Sequence, residues 1–408
     1  MDNFYKEINN TVEWLSSFGR DPKGGVSRTL YTDEWLEAQN SLKEKLEEIG
    51  LETNFDEIGN LFGRIKGTEF PDEVIATGSH IDTVTNGGKL DGAFGIIAGM
   101  IAIKNLIQKH GAPKRSLELI SMAEEEGSRF PYAFWGSKNI FGLANQEDVI
   151  DAKDIDGKKF VDEMRRSGFD FRKDNTPKGD LKAFLEIHIE QGNFLEMENK
   201  SVGVVTSIVG QRRYGVKLKG QANHAGTTLM KYRKDTIEAF ARIVTSSLEK
   251  AKKKGDPLVL TFGKVDVKPN TVNVVPGETA FTIDCRHTDR DILKDFTKEI
   301  ESDMRDICKD MGIEIEIDMW MDEPPVPMDG EIISIIEQAS KDNNLNYKVM
   351  HSGAGHDSQI FAPRVATGMI FVPSINGISH NPEENTEVKD LAEGILALQS
   401  ALYELAYK

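Results

Sequence analysis

Apolar and polar positions switch between two periods along the first half of the chain. Residues 35–49 repeat at the spacing of an amphipathic helix. Residues 74–78 form a short apolar run, predicted as a strand ending at the polar pair Ser79-His80. Residues 92–110 are apolar and rich in Gly and Ala, the composition of a buried helix. A second predicted strand, 116–123, runs into Glu124, Glu125 and Glu126, and a third, 184–189, carries His188. Strands alternating with helices imply a mainly parallel sheet covered on both faces. In such sheets, polar residues at the carboxyl ends of strands mark the ligand site.

The pattern changes near residue 210. Residues 213–220 alternate like a half-buried strand, and 235–254 read as a helix ending in the basic run AKKKGD. Further strands are predicted at 258–267, 279–286 and 313–321, with a second amphipathic helix at 289–311. The segment DEPPVPMDG then reads as a linker, because its prolines continue neither a strand nor a helix. The α/β alternation returns with a helix from Glu331, strands at Tyr347 and Met369, and a last helix from Val388. The expected fold is an α/β domain with a mainly parallel mixed sheet over residues 1–209 and 325–408, interrupted by an inserted α+β domain over 210–324.

Composition narrows the function classes. A net charge of -17 excludes a non-specific nucleic-acid binder, which needs a basic footprint, but leaves room for an anionic substrate in a local cationic pocket. Two cysteines, Cys285 and Cys308, make no disulfide framework and suit a reducing compartment. The polar start MDNFYKEINN is neither a signal nor a transit peptide, and no apolar run reaches the roughly 18 residues of a membrane span. A cytoplasmic protein with no membrane partner is expected.

Candidate chemistry gathers at predicted strand ends. His80, in GSHIDTV, is a candidate metal ligand with Asp82 as a carboxylate partner that would fix its tautomer. Asp91, in LDGAFG, stands where a helix N-cap would stand, yet from that junction it can also present both oxygens to two metals. Glu124, Glu125 and Glu126 follow a buried strand, where clustered carboxylates are costly unless a cation neutralises them. Alternation places Glu186, His188 and Glu190 on one strand face. His380 lies in the loop GISHNPEE, where position alone decides nothing. Together these side chains form a mixed N/O shell suited to zinc, manganese or cobalt rather than calcium, and two such ions can activate a water between them.

The segments GSHIDTVTNGGKLDGAFG, AEEEGSRFPYAFWGSKNIFG, LEIHIEQG, ANHAGTT, PNTVNVVPG, DCRH, GAGHDS and ISHNPEE resemble, in the same order, the co-catalytic metal aminoacylase and carboxypeptidase superfamily. The resemblance is to its branch of N-carbamoyl-L-amino acid hydrolases, β-ureidopropionases and allantoate amidohydrolases. It implies a di-metal catalytic domain and a lid/dimerisation domain, in a homodimer whose lid closes on the site. The implied cofactors are two divalent ions per subunit, manganese or zinc, with cobalt or nickel also accepted. Implied ligands are His80, Asp91, Glu126, His188 and His380. Asp91 would bridge, His80 and His188 would complete one position, and Glu126 and His380 the other. Glu125 would be the general base, Asp82 the partner of His80, and His224 the stabiliser of the oxyanion. Asn273 and Arg286 would grip a substrate carboxylate, and Gln191 and Gly355 would make further substrate contacts.

Within the branch, VTNGGKLDGAFG and RFPYAFWGSKNIFGLA look like the allantoate-cleaving members. Gln211 and Arg213, on one predicted strand face, can meet the second ureido group or the carboxylate of such a substrate. The expected reaction hydrolyses a ureido C–N bond of allantoate, giving ureidoglycine or ureidoglycolate, ammonia and carbon dioxide. The alternative is an N-carbamoyl-L-amino acid hydrolase, which shares every catalytic residue. An inactive ligand-binding relative is disfavoured because Glu125 and all five ligands are present.

Overall fold

A computed structural model describes residues 2–408. The chain divides into a larger unit, residues up to Thr206 with Pro327–Lys408, and a smaller unit, Ser207–Val326. Its strands, in chain order, begin with β1 (Glu52–Phe55), β2 (Leu61–Ile65), β3 (Phe70–His80), β4 (Arg115–Met122), β5 (Leu181–Ile189) and β6 (Val202–Ile208). The smaller unit holds β7 (Gly210–Lys219), β8 (Asn223–His224), β9 (Val259–Lys268), β10 (Val274–Val275), β11 (Glu278–His287) and β12 (Glu314–Glu323). Then come β13 (Val326–Pro327), β14 (Tyr347–Ser352) and β15 (Ala366–Val372).

The nine-stranded sheet of the larger unit runs β1-β2-β4-β3-β5-β15-β6-β13, with β14 paired to β6. Its centre, β4-β3-β5-β15, is parallel. The flanks are antiparallel, β1 on β2, β2 on β4 and β6 on β15. The sheet is thus mixed around a parallel core, as expected of a mainly parallel mixed sheet. The added β1–β2 hairpin escaped prediction because β1 is four residues long and only partly buried, too short for a period to show.

Central strands are buried on both faces, as the apolar runs of β4 and β5 require. The Ala93–His110 and Val388–Tyr407 helices pack on each other and on these strands. The first helix, Asp2–Ser16, was not read from the sequence; it buries Ile8, Val12 and Leu15 along one stripe. The proline-rich segment after Glu323 is not a free linker. Val326 and Pro327 form the edge strand, where a missing N–H costs nothing, and Asp329 caps the Gly330–Asp342 helix.

In the smaller unit the antiparallel order is β12-β7-β11-β9. Along β7, Arg212, Tyr214, Val216 and Leu218 are buried, while Gln211, Arg213 and Lys217 lie half-buried on the other face. The Thr236–Lys254 and Arg290–Asp310 helices supply Ile243, Leu293, Phe296 and Ile300 to the covered face. Cys285 and Cys308 sit in this core as free thiols. Among the described residues no helix is long and apolar enough to cross a membrane.

Candidate metal centre

Parallel strands that share a direction also share an end, and here that end carries the chemistry. His80 closes β3, whose register sets it beside Met122 at the end of β4, just before Glu124, Glu125 and Glu126. His188 lies near the end of β5, and His380 follows β15 in a loop. The strand order therefore sets out Glu126, His80, His188 and His380 along one edge of the parallel core.

Asp91 stands between them, in direct contact with the three imidazoles. Its Oδ1 lies 3.5 Å from His80 Nε2 and 3.3 Å from His188 Nε2. Its Oδ2 lies 3.3 Å from His380 Nε2, which is 3.1 Å from Glu126 Oε1. Among the described residues, ligand atoms within 4.8 Å of one another form three sets: His80-Asp91-His188, His80-Glu125-Glu126 and Asp91-Glu126-His380. Two atoms bound to one tetrahedral ion at ~2.1 Å stand about 3.4 Å apart, so these spacings suit a shared cation. The donor set and its spacing make a potential dinuclear metal site. Asp91 is not a helix cap, because the cap position is Gly92, at φ +63° and without a side-chain bond. Gly92 is needed there, since a Cβ would stand 2.3 Å from the His80 ring.

The imidazoles are aimed by their far nitrogens. His80 Nδ1 lies 3.2 Å from Asp82 Oδ1 and 3.1 Å from the Asp82 carbonyl. His188 Nδ1 lies 2.9 Å from the Ile189 carbonyl. A proton held at each Nδ1 leaves Nε2 directed at Asp91. Asp82 also accepts the main-chain N–H groups of Glu125 (3.0 Å) and Glu126 (3.3 Å), so one carboxylate aligns an imidazole and both acids.

The electrostatics call for positive charge. Burial acts to lower the His80 pKa, but Asp82 and Asp91 outweigh it and hold it well above the usual value. His380 is pushed up to about 10 by its hydrogen bonds to Asp91 and Glu126. Burial raises the Glu125 carboxyl well above its ordinary range, with Glu126 adding to the shift. A field that draws protons onto imidazoles also favours a divalent cation.

The three consecutive acids divide in role. Glu124 is buried and accepts the N–H groups of Gly127 and Trp135, which shapes the loop. The expected polar face of β5 also divides. Glu186 accepts the Ser79 hydroxyl and both the N–H and hydroxyl of Ser358. Glu190 accepts the N–H groups of Phe194 and Leu195. Only His188 of that face reaches Asp91, because the strand ends at Ile189 and the chain turns at Gln191, φ +58°. The Gln191 amide donates to Asp91 Oδ2 at 2.8 Å. Gly355 packs tightly, a Cβ there meeting Gln359 at 2.9 Å.

Sequence reasoning passed over several groups beside the centre. Ser379 lies 2.6 Å from Asp91 Oδ2, and Glu384 accepts the main-chain N–H of Asp91. His356 sets its ring edge-to-face against that of His188, centroids 4.5 Å apart, and is kept neutral by burial. Asp357 is fully buried, and burial pushes its carboxyl up to about 8. For three of them a signal was available, since Ser379 adjoins His380 in ISHNPEE and His356 and Asp357 follow Gly355 in GAGHDS, whereas Glu384 lies four residues beyond His380.

In the smaller unit, His224 is exposed on β8, paired with β10. Its Nδ1 accepts N–H groups from Gly226 (3.1 Å) and Thr227 (3.3 Å), which places the proton on Nε2 as a donor. Asn273 is close by, its carbonyl accepting the Ala225 N–H. Arg286 and Arg213 both grip Asp284, through Nε at 2.9 and 2.8 Å, and Arg213 also lies over Trp320.

Such an array at strand ends marks a metal-dependent hydrolase. The family model for peptidase family M20/M25/M40 matches residues 76–404, and the chain belongs to this family. It is 60% identical over 406 residues to an allantoate amidohydrolase of Escherichia coli (strain K12), covering 99% of each chain. It is 46% identical over 403 residues to an allantoate amidohydrolase of Bacillus subtilis (strain 168), covering 98% of this chain and 97% of that one. Among solved structures, an amidase of the hydantoinase/carbamoylase family from Burkholderia multivorans superposes with a TM-score of 0.93 at 32% identity, covering 99% and 98%.

Two outcomes follow. Asp82→Ala should weaken metal binding by roughly 10–100-fold, measured by competition with a chelator; unchanged affinity would contradict the role of Asp82. A metal-free His380 pKa of about 10 means that a proton must leave before the nitrogen can bind a cation. Metal affinity should therefore rise with pH between about 7 and 9, with proton release. Calorimetry in buffers of different ionisation enthalpy reads this directly, and uptake without proton release would count against it.

Proposed function

We propose that the chain is a di-metal amidohydrolase that cleaves a ureido C–N bond of allantoate, giving ureidoglycine or ureidoglycolate, ammonia and carbon dioxide. The observation that carries the hydrolase reading is Asp91 set between His80 and His188 on one oxygen and His380 on the other, with Glu125 beside Glu126. The substrate rests on the 60% identical relative, named an allantoate amidohydrolase. N-carbamoyl-L-amino acid hydrolysis is the second reading, supported by the likeness to a hydantoinase/carbamoylase amidase.

His80, His188 and Asp91 would hold one divalent ion and Asp91, Glu126 and His380 another, supplying Lewis acidity and an acidified water. Manganese or zinc suits this N/O shell, and cobalt or nickel is compatible with it. Glu125 takes a proton from the attacking water and returns it to the leaving nitrogen. In the metal-free chain burial raises its carboxyl well above the ordinary range, the direction that favours holding the proton between the two transfers. His224 Nε2–H is the donor for the developing oxyanion, a role worth about 3–4 kcal/mol in other hydrolases. Arg286 and Asn273 bind the substrate carboxylate, Gln191 and Gly355 line the substrate, and Arg213 takes the second ureido group.

Ammonia release tests the substrate assignment. The manganese-loaded protein should prefer allantoate over N-carbamoyl-L-amino acids by more than about a hundredfold in kcat/KM, or roughly 2.7 kcal/mol. The reverse preference would make it a carbamoylase. Glu125→Gln should keep its metals and lose nearly all turnover; substantial activity would remove Glu125 as the base.

A further inference from the structure

A carboxylate shared between two cations must be held against rotation, and the groups that hold Asp91 lie partly outside the ligand set. Glu384 is buried at 2% exposure in the same loop as His380. Its Oε1 accepts the main-chain N–H groups of Leu90 (2.8 Å) and Asp91 (3.0 Å). Its Oε2 lies 3.0 Å from the Ser379 hydroxyl, which in turn lies 2.6 Å from Asp91 Oδ2. One side chain thus fixes the backbone of Asp91 from one side and, through Ser379, the outer oxygen of its carboxylate.

The surroundings are shaped for this contact. Gly88 faces the Glu384 carboxyl so closely that a Cβ would stand 2.0 Å from its Cδ. The loop that carries both His380 and Glu384 is closed at its base by Ile375 N–H to the Asn385 carbonyl (3.0 Å) and by the Thr386 hydroxyl to the Pro373 carbonyl (2.6 Å). His380 itself sits at φ +56°, a conformation that a non-glycine residue keeps only when its surroundings impose it. His80 and His188, by contrast, belong to strands held by their ladders.

We propose that Glu384 is a positioning residue that ties the His380 loop to the Leu90–Asp91 segment and so sets the cation position formed by Asp91, Glu126 and His380. The proposal rests on the di-metal reading above. It makes the two positions unequal: the one on His80 and His188 is built on strands, and the other depends on the Glu384 link.

The test counts manganese in the full chain after equilibration in a metal-buffered solution, with melting curves of the metal-free protein to establish folding. Wild type should hold about two ions. Glu384→Ala should hold about one, the weaker ion losing roughly 10–100-fold in affinity. Glu384→Gln should stay close to wild type, because its amide oxygen still accepts both N–H groups and its NH2 can donate to Ser379. Ser379→Ala keeps the Glu384 bonds to Leu90 and Asp91 and removes only the side of the link that reaches Asp91 Oδ2; it carries little risk to folding and should weaken the same ion preferentially, by less than Glu384→Ala. Gly88→Ala, which touches no ligand, should act as Glu384→Ala does. Two ions at wild-type affinity in Glu384→Ala or Ser379→Ala would overturn the proposal, as would a Glu384→Gln protein as impaired as the alanine variant. A wild type that holds two ions but cleaves no ureide would contradict the proposed function alone, and the ion counts would still decide this one.

Discussion

The centre depends on one carboxylate whose two oxygens face different partners. Burying Asp91 near Glu126, with Asp82 and Glu125 gathered on His80, is unfavourable without compensating charge. Three imbalances stand around it. His80 and His380 are drawn toward protonation, Glu125 is driven toward its neutral form, and Asp91 is held well below the usual carboxylate range, its histidine partners outweighing its burial. Cations shared across Asp91 would relieve all three at once. The surrounding hydrogen bonds, from Gln191, Ser379 and the main chain of Gly92, make sense as a frame for that arrangement.

The fold delivers the frame economically. Parallel strands bring their carboxyl ends to one edge without any long excursion of the chain, so His80, His188 and the acids after β4 meet although 46 residues or more separate Glu126 from its neighbours on either side. Strand ends also solve an orientation problem. A histidine near the end of a strand can donate Nδ1–H to a nearby carbonyl, as His188 does to Ile189, and turn Nε2 outward. Residues in less favourable backbone conformations, Gln191 and His380, sit where the chain leaves the sheet.

Much of this was legible in the sequence, for a physical reason. Long apolar runs and periodic helices survive as patterns, so β3, β4, β5 and the Ala93–His110 helix were readable. The metal-ligand candidates stood out because polar residues ended apolar runs. What escaped reading depends on contacts distant in sequence. The β1–β2 hairpin and the Asp2–Ser16 helix are marginal alone and exist because they pack on the core. Glu190 sits in phase with His188 yet caps a turn, because periodicity stops where the strand does. Glu384 reaches Leu90 across 294 residues, and no local signal distinguishes it from the adjacent Glu383.

The most direct measurement is anomalous diffraction from crystals of the manganese-loaded protein. The account predicts two peaks about 3.5–4 Å apart, one beside His80 and His188 and one beside Glu126 and His380, with a different Asp91 oxygen on each. A single peak, or two peaks that do not share Asp91, would contradict it.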